Sequence, residues 1–200
     1  MPRTAVVDEA MTDSDTNTDF DSDSSATTIT VLSDTHSADG HELDGDVLRA
    51  VRNADVVIHA GDFTSSAALD ALQDECAVLF AVHGNADSAA VRDRLPTARV
   101  VEAGGVRFAV THRRDGGETG LAMFGRSRDA DVVVSGHTHC PTVVRTDDCL
   151  LLNPGSYAQP RGNRPGYAVL ETRTDGGDDT SELTGEIREP TGELVESFVV

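Results

Sequence analysis

The sequence contains no lysine and no tryptophan, and it has only three cysteines. Cys76, Cys140 and Cys149 are an odd number without CxxC spacing, so no disulfide framework is expected and the thiols read as reduced. Cys140 directly follows His139. In extended backbone, neighbours point to opposite faces, so Cys140 reads as a packing residue rather than a ligand. Long apolar runs are also missing. None approaches the roughly 20 residues that span a bilayer. The N-terminus lacks the basic segment and apolar stretch of a secretory signal. The expected location is therefore cytoplasmic, with no membrane partner.

Acid is what the chain has in abundance. Thirty-five Asp and Glu residues oppose 16 basic residues, all of them arginine, for a net charge of −19. Such a surface repels a nucleic-acid backbone, so no duplex nucleic acid is expected as a partner. The acids run through the whole chain rather than forming one tail. This composition resembles that of proteins from salt-loving archaea, and a halophilic origin is expected. At molar salt the Debye length falls to about 3 Å, which screens the self-repulsion. Residues 1–27 are rich in Asp, Ser and Thr and read as a disordered acidic tail. Residues 28–200 are expected to form one domain.

Within that domain the apolar pattern alternates between strand-like and helix-like. Ile29–Leu32, Asp55–His59, Ala77–Val82, Val106–Thr111 and Asp131–Ser135 read as strands. Leu43, Val47, Leu48 and Val51 fall at helical spacing, as do Ala67, Leu69 and Leu72. Short helices are expected near Ser88–Arg94 and Gly120–Ser127. From Pro141 onward the pattern is all strand. Alternating strands and helices followed by a meander predict an α/β fold with a mixed sheet core.

The polar residues fall where chemistry is expected. Asp34, Asp62, Asn85, His112 and His137 each follow the C-terminal end of an apolar strand. Ligands of open α/β sheets bind at that edge. Asp34 and His36, like His137 and His139, are two residues apart, which in extended backbone places both side chains on one side. Oxygen and imidazole donors without thiolate suit divalent Mn, Fe, Co, Ni or Zn and argue against a cysteine-based zinc knot. A Gly-Asp after a strand is usually only a turn, and a lone His-x-His is usually incidental. Five successive strand ends carrying such residues are a stronger signal than any one of them. His59 and His83 read as strand residues, and His41 as part of an exposed loop.

The segments Ser33-Asp34-Thr35-His36, Gly61-Asp62, Gly84-Asn85-Ala86-Asp87, Thr111-His112 and Gly136-His137-Thr138-His139 resemble the calcineurin-like metallophosphoesterase superfamily. Asn153-Pro154-Gly155-Ser156 is similar to its small phosphodiesterase branch, which includes retromer-subunit relatives. The likeness covers about residues 29 to 172. It implies a four-layer α/β/β/α sandwich with two mixed sheets. It also implies two divalent ions, with Mn²⁺ the first choice and Ni²⁺, Fe²⁺, Zn²⁺ or Mg²⁺ as alternatives. The family pattern assigns Asp34, His36, Asp62 and His139 to one ion. Asp62, Asn85, His112 and His137 hold the other, with Asp62 as the bridge. Ala86 stands where many members have a histidine that assists the leaving group. Arg113-Arg114 replaces a common Gly-His, so an arginine, Arg114 in particular, is a candidate phosphate clamp.

The expected activity is hydrolysis of a small phosphoester, most simply a phosphodiester, by a hydroxide shared between the two ions. Asp62, Asn85, His112 and Arg114 would be the catalytic set. Two alternatives stand beside it: a phosphomonoesterase, and a catalytically weak protein-interaction scaffold of the same fold. The family also contains homo-oligomers, which leaves assembly open.

Overall fold

A computed structural model of the chain describes residues 26–173 and 182–200. Nearly all of the expected acidic tail lies outside them. In chain order the elements are β1 (Thr28–Leu32), α1 (Gly45–Asn53), β2 (Val56–His59), α2 (Ser66–Glu75), β3 (Leu79–Ala81) and α3 (Ala89–Arg92). Then follow β4 (Ala98–Ala103), β5 (Val106–Thr111), α4 (Gly117–Arg126), β6 (Val132–Val134), β7 (Thr142–Arg145) and β8 (Leu150–Asn153). The last three are β9 (Tyr167–Arg173), β10 (Glu182–Arg188) and β11 (Leu194–Val199).

The strands form two mixed sheets, as expected. One runs β11-β10-β9-β1-β2-β3 and the other β4-β5-β6-β8-β7. In the first, β1, β2 and β3 are parallel, and β9 pairs antiparallel with β1. In the second, β5, β6 and β8 are parallel and flanked by antiparallel β4 and β7.

The period-2 pattern of the strands explains the layering. Ile29 and Val31 of β1, Ile58 of β2, Val132 and Val134 of β6 and Leu152 of β8 meet between the sheets. The residues between them face outward onto helices. Leu32 and Val57 pack against Val47, Val51, Leu69 and Leu72 of α1 and α2. On the other side, Val133 and Leu151 pack against Phe124 of α4. The result is the α/β/β/α sandwich. Thr30 is the polar exception on the helix-facing side of β1, and its hydroxyl donates to the Ala50 carbonyl of α1 at 3.0 Å. No helix of the described residues is long and apolar enough to cross a membrane.

Two local readings change. β3 ends at Ala81, so His83 lies in the loop beyond the strand, not in it. His41 is only half-buried in a loop and sits 3.4 Å from Glu75 Oε1, which is also held by Arg52.

Candidate metal centre

The parallel strands of both sheets end on the same side, and the loops leaving them carry the polar residues. Pairing between β1 and β2 continues past the strand ends. Asp34 N–H donates to the Gly61 carbonyl, His36 N–H to Asp62 and Ser37 N–H to Phe63, at 2.9, 3.0 and 2.9 Å. The Asp34 loop is thereby locked to the Asp62 loop.

These loops are not extended, which corrects the reasoning from two-residue spacing. Asp34, His36, Asp62, Thr64, His137 and His139 all have positive φ, between 44° and 87°. Left-handed backbone is costly for residues with a β-carbon and persists where surrounding contacts over-determine it. Side-chain direction therefore follows the turn, and His137 and His139 separate. His139 joins Asp34 and His36, with Nε2 3.1 Å from Asp34 Oδ1 and 3.3 Å from His36 Nε2. His137 is half-buried and meets His112 edge to face, with ring centroids 5.3 Å apart.

Two groups of donor atoms result: Asp34, His36 and His139, and Asp34, Asp62 and His112. Asn85 joins the second group, its Oδ1 3.2 Å from His112 Nε2. Asp62 Oδ2 lies between the groups, 3.8 Å from His36 Nε2 and 3.3 Å from His112 Nε2. Arg114 is not among these donors, though it lines the same cavity as His112 and His137. Its guanidinium carbon stacks 4.1 Å above the Phe124 ring on the face of α4. Burial and the charge of Arg128 lower its pKa.

Hydrogen bonds aim these donors. Asp34 Oδ2 accepts from the Ser33 hydroxyl at 2.6 Å and from His137 N–H at 2.9 Å. Asp34 Oδ1 is left as the one buried side-chain N or O atom without a partner among the described residues. His112 Nδ1 donates to the Ala60 carbonyl at 2.8 Å, and His139 Nδ1 to that of Gln159. Both rings then present Nε2 lone pairs inward, the arrangement metal-ligating histidines adopt. Glycines leave room for the carboxylates. A β-carbon on Gly84 would lie 2.1 Å from Asp62 Oδ1, and one on Gly136 would lie 2.6 Å from Asp34 Oδ2.

Electrostatics hold the carboxylates ionised. Burial, the largest influence, pushes the pKa of Asp34 up, but contacts with His36 and Ser33 and the charges of His112 and His139 bring it below the ordinary value. Asp62 is likewise lowered, burial being outweighed by His112 and the Ala86 N–H. For His112, burial pulls down while Asp62 raises, and the net shift is upward. His137 is lowered by burial, then by the charges of His112 and Arg113.

Several supporting residues carry no signal in the apolar pattern. Asp87 accepts three backbone N–H groups: those of Asp62 and Gly84 on Oδ2, at 3.0 and 2.7 Å, and that of Thr64 on Oδ1, at 2.7 Å. It ties the loop after β2 to the loop after β3. Asn153 donates to the Gly136 carbonyl and to Thr138 Oγ1, holding the loop that carries His137 and His139. The Ser156 hydroxyl donates to the Asp34 carbonyl at 2.7 Å. His59 is fully buried behind the site, its Nε2 3.1 Å from Thr35 Oγ1, and burial lowers its pKa to about 3.

Residues 28–175 match the model of the calcineurin-like phosphoesterase superfamily domain. The chain belongs to this superfamily. It is 38% identical over 138 residues to a probable metallophosphoesterase of Methanocaldococcus jannaschii, covering 66% of this chain and 69% of that one. It is 27% identical over 155 residues to a phosphodiesterase of the same organism, covering 72% and 92% of the two chains. Among solved structures, Vacuolar Protein Sorting 29 of Cryptosporidium parvum matches with a TM-score of 0.71. That match covers 88% of this chain and 97% of the other at 18% identity, a likeness of fold alone. The superfamily implies divalent metal, and the donor set fits it: ionised carboxylates, inward imidazole lone pairs and an unpartnered carboxylate oxygen between them.

Proposed function

We propose that the chain is a metal-dependent phosphoesterase acting on small phosphodiesters. The observation that carries the reading is Asp34 Oδ1, buried without a hydrogen bond and 3.1 Å from His139 Nε2. A protein rarely buries such an oxygen without a cation or donor to compensate it.

Asp34, His36, Asp62 and His139 would hold one divalent ion, and Asp62, Asn85, His112 and His137 a second. The position of Asp62 Oδ2 between His36 and His112 supports its role as the bridge. When bound, such ions supply Lewis acidity and lower the pKa of water enough to provide a nucleophile at neutral pH. The chain's residues supply the rest. The fixed Nδ1–H bonds of His112 and His139 hold the imidazoles in the ligating tautomer. The Asn85 amide lies beside His112, where its N–H groups can steady a phosphate oxygen. Arg114 is stacked on Phe124, so Arg113, which lines the same cavity as His112 and His137, is the arginine we assign to add positive charge at a phosphate. Ala86 has no proton to give a leaving group, which favours substrates with good leaving groups.

Mn²⁺ is the first ion to try, on the family resemblance, with Ni²⁺, Fe²⁺, Zn²⁺ and Mg²⁺ as alternatives that the mixed oxygen and nitrogen set also suits. The net charge of −19 favours small substrates over duplex nucleic acid and fits function in concentrated salt within the cytoplasm. The test is direct. Protein loaded with Mn²⁺ in high KCl should hydrolyse bis(p-nitrophenyl) phosphate faster than p-nitrophenyl phosphate, and EDTA should abolish the rate. A reversed preference would make it a phosphomonoesterase. No turnover with any divalent ion would leave the fold acting as a scaffold.

A further inference from the structure

Beside the donor cluster, between α4 and the β7–β8 hairpin, lies a cavity of about 300 Å³. His112 and His137 are among the residues that line it, so it adjoins the proposed metal centre. Its inner wall is apolar, formed by Leu121, Val144, Leu151 and Leu152. Gly116 and Gly117, at φ 90° and 59°, turn the chain into α4, and Gly117 puts no side chain into the space.

We propose that this cavity is the subsite for one ester group of the substrate, and that the group is an aromatic or similarly compact apolar ring. The inference rests on the phosphoesterase reading. A phosphate held near His112 and His137 would have this opening beside it. Arg113 among the lining residues favours the anionic phosphate, while Glu118, also in the lining, disfavours a second one. The volume lies at the lower end of ligand pockets and admits one ring system rather than an oligomer. Apolar walls reward only a group that leaves water on entering.

The test is calorimetric titration of the Mn²⁺-loaded full chain with phenylphosphonate and methylphosphonate, neither of which is hydrolysed. Phenylphosphonate should bind tighter by on the order of 30-fold, from the apolar area its ring removes from water. Leu121→Trp and, separately, Val144→Trp should each shrink that ratio to within about threefold by filling the cavity. Equal affinities in the wild type would overturn the subsite while leaving the phosphate site standing. Failure of both phosphonates to bind would overturn the phosphoesterase reading itself. An undiminished ratio in both folded tryptophan variants would place the ring elsewhere. The wild-type ratio decides the matter even if a variant does not fold.

Discussion

Asp87 touches no predicted ligand atom, yet replacing it should weaken the metal centre. Its carboxylate accepts backbone N–H groups from Asp62, Thr64 and Gly84 at 2.7 to 3.0 Å, in a position 3% exposed. In Asp87→Ala all three donors lose their acceptor, and a buried donor left unpaired costs about 1–3 kcal/mol. Water entering the gap would recover part of this, so a net loss of about 3–5 kcal/mol is expected. For a chain of this size that lowers the melting temperature by roughly 10 °C. Asp87→Asn keeps one acceptor oxygen but turns an amide N–H₂ toward N–H donors, so it should lose about half as much. Because Asp62 and Asn85 sit on the loops that Asp87 joins, Mn²⁺ affinity should fall 10- to 100-fold in Asp87→Asn, the range typical of residues that orient ligands. Thermal unfolding of the metal-free protein and calorimetric Mn²⁺ titration measure the two effects. An Asp87→Asn protein with wild-type melting temperature and Mn²⁺ affinity would refute the argument that this carboxylate sets the loop geometry.

Other outcomes follow from the same contacts. Asp62→Ala should lower diester hydrolysis by at least about 100-fold while circular dichroism stays native, since it removes the oxygen facing both donor groups. Full retained rate would mean the centre is misassigned. Arg113→Ala should raise KM for a diester several-fold, whereas Arg114→Ala should chiefly lower stability, by roughly 0.5–1 kcal/mol through the lost stack on Phe124. The reverse pattern in kinetics and melting would exchange their roles. His59 stays neutral when folded, with a pKa near 3, whereas the unfolded chain protonates it near 6.5. Its contribution is therefore nil above about pH 6.5 and becomes destabilising as pH falls, by about 2 kcal/mol at pH 5. Urea unfolding of metal-free protein should show His59→Gln losing less stability than wild type between pH 7 and pH 5. Equal losses would show that His59 protonates in the folded state.

Much of this was legible in the residue order. Val132–Val134 and Ile29–Leu32 are β-branched or apolar at every position because both faces of these strands are covered, and each strand is followed by a serine, Ser135 and Ser33. The positions of Asp34, Asp62, Asn85, His112 and His137 after strands needed only that pattern. Asp87 was not legible in the same way. Its segment, Gly84-Asn85-Ala86-Asp87, carried the family resemblance, but a loop carboxylate looks like any other in a chain with 35 acids, and only its three N–H partners show what it does. The spacing of His137 and His139 pointed to a shared direction that the backbone does not take, because positive φ at both residues replaces the extended geometry assumed for them.

The sequence by itself determined the two-sided strands, the layers they demand and the kind of donors delivered to one edge, since burial and period are local properties of the chain. The tertiary structure decided how those donors divide. Asp34 and His139 are 105 positions apart, and His112 reaches the Ala60 carbonyl from the other sheet. Those distances exist only because the two sheets pack face to face. The orientation of Asp34, with Oδ2 tied to Ser33 and His137 and Oδ1 left bare, depends on that packing and on no spacing along the chain.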